Sequence, residues 1–195
     1  MSRAFVLGNG ISRQGMNLHL LKQVGQVYGC NAIHREFVPD VLVSTDTPIS
    51  KSIQETGYSQ KHKMYTRKPL PALGALRIPQ EYYGYSSGPA AAGIAALDHN
   101  QAIYLIGFDM GPTATGKFNN VYADSEFYRA SSAPPTFTGN WATQILKICN
   151  DFPTIQFYRV IGKTTADVPV LNSVTNLCHM CMEDFFNRIN NTKEL

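Results

Sequence analysis

The chain has 195 residues, of which 44% are hydrophobic, 11% aromatic and 16% charged, with a formal net charge of +3. That length suits one domain with an appendage and can bury a sizeable core, and so low a charge density excludes a disordered chain. The small positive charge demands no nucleic acid. No run of about 18 apolar residues offers a membrane span, and the N-terminus has neither the apolar stretch nor the cleavage site of a signal peptide. A cytoplasmic protein with reduced cysteines is expected.

Residues 4–7 read as a buried first strand that runs into Gly8-Asn9-Gly10 and then Ser12. Met16, Leu18, Leu21 and Val24 follow as the apolar face of a helix. Strand, glycine turn and helix is the arrangement that aims backbone N–H groups at an anion, so Gly8, Asn9, Gly10 and Ser12 are phosphate-binding candidates. The spacing is neither the dinucleotide fingerprint nor the P-loop. An ordinary tight turn explains the same residues.

A second strand spans 26–31 and ends at Asn31; a third spans 41–44 and ends at Asp46, with Thr47 as the expected cap of a helix and Pro48 in its first turn. Residues 58–84, punctuated by prolines, read as a loop-rich excursion with one short strand near 63–65. Its cluster of basic residues between Lys61 and Lys68 reads as a solvated loop. Ser86-Ser87-Gly88 opens a small-residue helix over 90–97. Residues 102–106 form the clearest strand, ending in Gly107-Phe108-Asp109. A long loop over 110–140 precedes a helix over 141–150, a last strand over 155–160 and an amphipathic helix over 182–189. Cys178-His179-Met180-Cys181 has the spacing of half a zinc site but no second half.

Alternating strands and helices with continuous apolar strands predict an α/β, Rossmann-like, mostly parallel sheet covered on both faces, with a long insertion after Asp109. Residues 1–165 make the nucleotide-binding domain, and 166–195 a tail whose helix packs on it. Asn9, Asn31, Asp46 and Asp109 all fall at C-terminal strand ends, the edge at which open parallel sheets bind ligands.

The order of these motifs resembles the bacterial sialyltransferases of Rossmann-like fold and the related motility accessory factor and MptE-like proteins. The likeness rests on Val6-Leu7-Gly8-Asn9-Gly10-Ile11-Ser12, Cys30-Asn31, Ser86-Ser87-Gly88 and the strand ending in Gly107-Phe108-Asp109. It implies a CMP-linked sugar donor held by Gly8, Asn9, Asn31, Ser87 and Gly88. It also implies a tyrosine on the phosphate, for which Tyr122 is preferred to Tyr128. Two departures stand out: Ile11 and Arg13 replace the family's proline and leucine, and Asn140 stands where the family has its general-base histidine. Asparagine has no useful basicity.

Three functions follow as expectations. The first is a nucleotide-sugar glycosyltransferase with Asn140, Asp46 and Asp109 as its catalytic candidates. The second is a pyrophosphokinase-like enzyme, in which Asp46 and Asp109 would hold Mg²⁺. The third is a binding module without catalysis. The acceptor, any homo-oligomer and a role for Cys178 and Cys181 stay open.

Overall fold

The computed structural model describes residues 2–191. Its centre is a single sheet of eight parallel strands: β1 (Arg3–Leu7), β2 (Gln26–Cys30), β3 (Val41–Ser44), β4 (Met64–Thr66), β5 (Leu76–Arg77), β6 (Ala102–Ile106), β7 (Gln156–Ile161) and β8 (Leu177–Cys181). Their spatial order is β5-β4-β3-β2-β1-β6-β7-β8. β1 pairs with β2 on one side, Val6 opposite Tyr28, and with β6 on the other, Val6 opposite Leu105. The chain therefore leaves β1 in one direction and returns to its other flank at β6, a topological switch point at the C-terminal edge. The α/β, Rossmann-like expectation is met.

The strands are continuous apolar runs because both faces are covered. On one face Ala4 and Val6 pack with Ile103 and Leu105 under α4 (Ser87–Leu97) and α5 (Gly139–Asp151). On the other, Phe5 and Leu7 pack with Leu21, Ile33, Ile53, Tyr104 and Phe185. That face carries α1 (His19–Lys22), α2 (Thr47–Glu55), α3 (Tyr58–Lys61) and α7 (Met182–Asn190), while α6 (Pro169–Asn172) lies by α5 and β8. α4 is apolar all round because it is enclosed all round. Its alanines leave room for the sheet, and a Cβ at Gly93 would stand 2.5 Å from the Tyr82 ring.

Several expectations change. No amphipathic helix follows the first turn: Ile11–Arg13 is a short 3-10 turn, and Gly15 in the left-handed region (φ +79°) breaks the path before α1 begins. Asp46, not Thr47, stands at the N-cap position of α2, without a side-chain capping bond, and Thr47 is already helical. The segment over 58–84 supplies α3, β4 and β5, not one short strand alone. The strand over 155–160 is not the last. β8 pairs along its length with β7, so Cys178 and Cys181 belong to an edge strand, and residues after 166 extend the sheet as well as packing on it. α7 lies on the sheet with Phe185 in contact with Phe5 and Tyr104. No helix among the described residues is long and apolar enough to cross a membrane.

Candidate functional site

The first turn meets the loop after β6. Gly8 N–H donates to the Ile106 carbonyl (2.8 Å) and Gly10 N–H to the Gly107 carbonyl (2.9 Å), carrying the β1–β6 ladder past the strand ends. A Cβ on Gly8 would lie 2.6 Å from the Gly107 oxygen, and one on Gly107 would lie 2.7 Å from the Gly8 oxygen. These glycines admit a close backbone approach, but what approaches is the protein's own neighbouring loop.

Of the remaining N–H donors of the turn, those of Ile11 and Ser12 are also engaged, and that of Asn9 has no partner among the described residues. Ile11 N–H donates to Asn119 Oδ1 (2.8 Å) and Ser12 N–H to Asp109 Oδ2 (3.0 Å). The expected cradle of free N–H groups over Gly8–Ser12 is therefore not what the turn presents. A cradle also needs a helix to follow, and none does.

Asp109 is 3% exposed and ties three loops together. It accepts from the Ser12 hydroxyl as well as the Ser12 N–H, from Thr164 Oγ1 (2.6 Å) and from Thr165 Oγ1 (3.2 Å). Beneath it, the buried Arg159 guanidinium donates to the Phe108 and Asp109 carbonyls. Burial lowers the Arg159 pKa and the nearby Asp109 carboxylate opposes that shift. With both oxygens bonded, Asp109 serves as a clamp and not as the catalytic or Mg²⁺-binding carboxylate expected of it. No cluster of three or more metal-ligating side chains occurs among the described residues.

Asn9 is committed in the same way. Its Oδ1 accepts from Arg13 (3.2 Å), and its Nδ2 donates to the Cys30 carbonyl (3.3 Å) and faces the Tyr128 hydroxyl at 3.5 Å. Arg13, 4% exposed, also donates to the Gly8 carbonyl (2.7 Å) and to Tyr122 Oη (2.9 Å), while Tyr122 donates to Glu36. Arg13 thus ties the turn to the insertion. Tyr122, the expected phosphate ligand, packs beside the core of the opposite face and does not line the cleft; burial raises its pKa. Tyr128, raised to about 12 by burial, is held there with it.

The cleft opens beside this clamp and measures about 270 Å³, near the small end of the range usual for ligand pockets. Of the sequence candidates, Gly8, Asn9, Gly10, Asn31, Asp46, Ser86, Ser87, Gly88 and Asp109 line it. Asn31 sits in the left-handed region (φ 51°), where asparagine is tolerated. Its Oδ1 accepts from Ser44 Oγ (2.9 Å) and Ser87 Oγ (3.0 Å). Ser87 Oγ is itself placed by the Thr45 N–H (3.0 Å) and hydroxyl (2.9 Å). With the oxygen held by two hydroxyls, the amide NH₂ keeps two donors that have no partner among the described residues. Asp46 is exposed, and its carboxylate likewise has no hydrogen bond among them. The first backbone bond of α4 runs from Ala90 to Ser86, so the Ser87 and Gly88 N–H groups precede the helical ladder.

Asn140 lies outside the cleft. It is exposed in the first turn of α5, and its neighbour Trp141 is the lining residue. Sequence reasoning missed Trp141, Phe108, Met110, Asn119 and Asn120. The lone tryptophan beside Gly139-Asn140 was the one signal that could have drawn attention to that end. The asparagines are delivered by the insertion, which returns to the first turn through Val121 N–H on the Asn9 carbonyl (2.8 Å).

No family model, curated protein or solved structure matches the chain.

Proposed function

We propose that this chain binds a mononucleotide, and specifically a CMP-linked sugar, in the cleft at the β1–β6 switch point, as a transferase of the linked sugar. The observation that carries the reading is the Asn31 amide, locked by Ser44 and Ser87, whose N–H donors have no acceptor among the described residues. An amide N–H held in place at a strand end suits one acceptor of a pyrimidine, its carbonyl oxygen or ring nitrogen, and Asp46 beside it suits a ribose hydroxyl. The phosphate belongs with the Ser87 and Gly88 N–H groups, not with the first turn. All four cysteines are free, which fits the expected cytoplasmic location.

Among the described residues Asp46 is the lining carboxylate that keeps its oxygens unbonded, and at the nucleoside end it serves the ribose; Asn140, the expected base, lies outside the cleft. A non-catalytic binder is the second reading, supported by a cleft lining without histidine among the described residues. The Mg²⁺-dependent alternative loses support with Asp109, whose oxygens are bonded to Ser12, Thr164 and Thr165.

A thermal-shift and calorimetric screen of CMP, UMP, GDP, ATP and a pterin, with and without Mg²⁺, tests the reading. Ligand at about 100 times its dissociation constant should add about 2.7 kcal/mol of stability. CMP should bind without the metal. Silence toward every nucleotide at millimolar concentration would refute the proposal. With binding established, sugar transfer or donor hydrolysis by the wild type separates the enzyme from the binder.

A further inference from the structure

The cleft is chemically divided across β1. On one side β2 and β3 deliver Asn31 and Asp46; on the other, the segment after β6 brings Phe108, Met110 and Gly111, and α5 brings Trp141. α4 stands between these ends, its Ser86 N–H bonded to Gln144 Oε1 of α5 (3.1 Å). Trp141 is the only tryptophan of the chain. It is half-buried, with one side packed on the core. Among the described residues no ring stacks on it and its indole N–H has no acceptor, although a buried indole N–H ordinarily finds one. Phe137, 79% exposed, lays its ring against Gly139 just ahead of it.

We propose that this end is a second subsite, in which Trp141 stacks on the pyranose ring of the sugar carried beyond the nucleotide's phosphate. The proposal rests on the nucleotide reading above. A pyranose presents a face of C–H groups ringed by hydroxyls. The indole supplies an apolar face with a donor at its edge, and Asn120, whose amide nitrogen has no partner among the described residues, supplies a polar group at the rim. The nucleoside occupies the Asn31–Asp46 end, so Trp141 touches the sugar and not the base.

Because Trp141 is the sole tryptophan, its fluorescence reports this end alone. CMP and CMP-linked sialic acid are titrated against the wild type by fluorescence, and against the wild type, W141F and W141A by calorimetry. The sugar-linked donor should change indole emission where CMP leaves it nearly unchanged. W141A should weaken the donor at least about fivefold while CMP changes less than about twofold, and W141F should restore most of the loss. Equal weakening of both ligands, or none for the donor, overturns the subsite while leaving the nucleotide reading intact. Failure of both ligands to bind the wild type overturns both. Should W141A not unfold cooperatively, W141L, which keeps apolar volume without a ring, is read in its place with the same outcomes.

Discussion

Asn9 and Asn31 occupy equivalent places, each just past the end of a central strand, yet they do opposite things. Asn9 has its oxygen on Arg13 and its nitrogen on the Cys30 carbonyl, so the whole amide works to hold the first turn together and against the end of β2. Asn31 has its oxygen held by two hydroxyls and its nitrogen left over. Asp109 and Asp46 divide likewise: the first is buried under four hydrogen bonds, the second exposed at the cleft rim. One side of the switch point is a clamp and the other a wall. The contrast teaches that a polar residue at a strand end marks the edge, while its leftover hydrogen-bonding capacity marks the ligand.

The largest effect should come from the clamp. Asp109→Ala removes the acceptor of Ser12, Thr164 and Thr165 and the charge nearest the buried Arg159, and should cost about 3–5 kcal/mol in urea unfolding. A loss below about 1 kcal/mol would mean that Asp109 is not the clamp and return it to the list of functional carboxylates.

Gly10→Ala should come next. Gly10 has extended backbone angles that any residue adopts, so conformation adds no penalty. Its Cβ would instead stand 2.5 Å from the Asp109 carboxyl carbon and 2.7 Å from the Gly107 oxygen, an overpacking that should cost about 1–3 kcal/mol. The variant should therefore lose stability first and affinity only as a consequence. Full stability with abolished nucleotide binding would reinstate the first turn as the phosphate site.

On the wall the order reverses. Asn31→Asp keeps an acceptor for Ser44 and Ser87 and tolerates the left-handed backbone, but exchanges the two donors for an oxygen. Stability should change by less than about 1 kcal/mol, while nucleotide affinity measured by calorimetry should fall at least tenfold, about 1.4 kcal/mol. Unchanged affinity would remove the observation on which the proposed function stands. Asn140→Ala, exposed and outside the cleft, should be the quietest: within about 0.5 kcal/mol in stability and without effect on nucleotide affinity or turnover. A large loss of turnover would place Asn140 at the reacting centre after all.

Much of the scaffold was legible because it depends on local pattern. The apolar runs at 4–7, 41–44 and 102–106 could be buried only as inner parallel strands, and the alanine-rich stretch after Ser87 could be only a close-packed helix. The polar residues at their ends named the ligand-binding edge, since strand direction alone decides where those residues emerge. β8 escaped notice because an edge strand carries a weaker apolar signal; of its residues Leu177 is buried, Met180 half-buried, and Cys178, His179 and Cys181 are exposed. What the sequence by itself determined, then, was the sheet, its edge and the set of polar residues lying there. Which of them face a ligand was decided by tertiary structure. Hydrogen bonds from Ser12, Thr164 and Ser87 reach Asp109 and Asn31, and one from Asn9 reaches Cys30, across distant segments, and donors already engaged by the protein cannot be told from free ones until those segments are folded together.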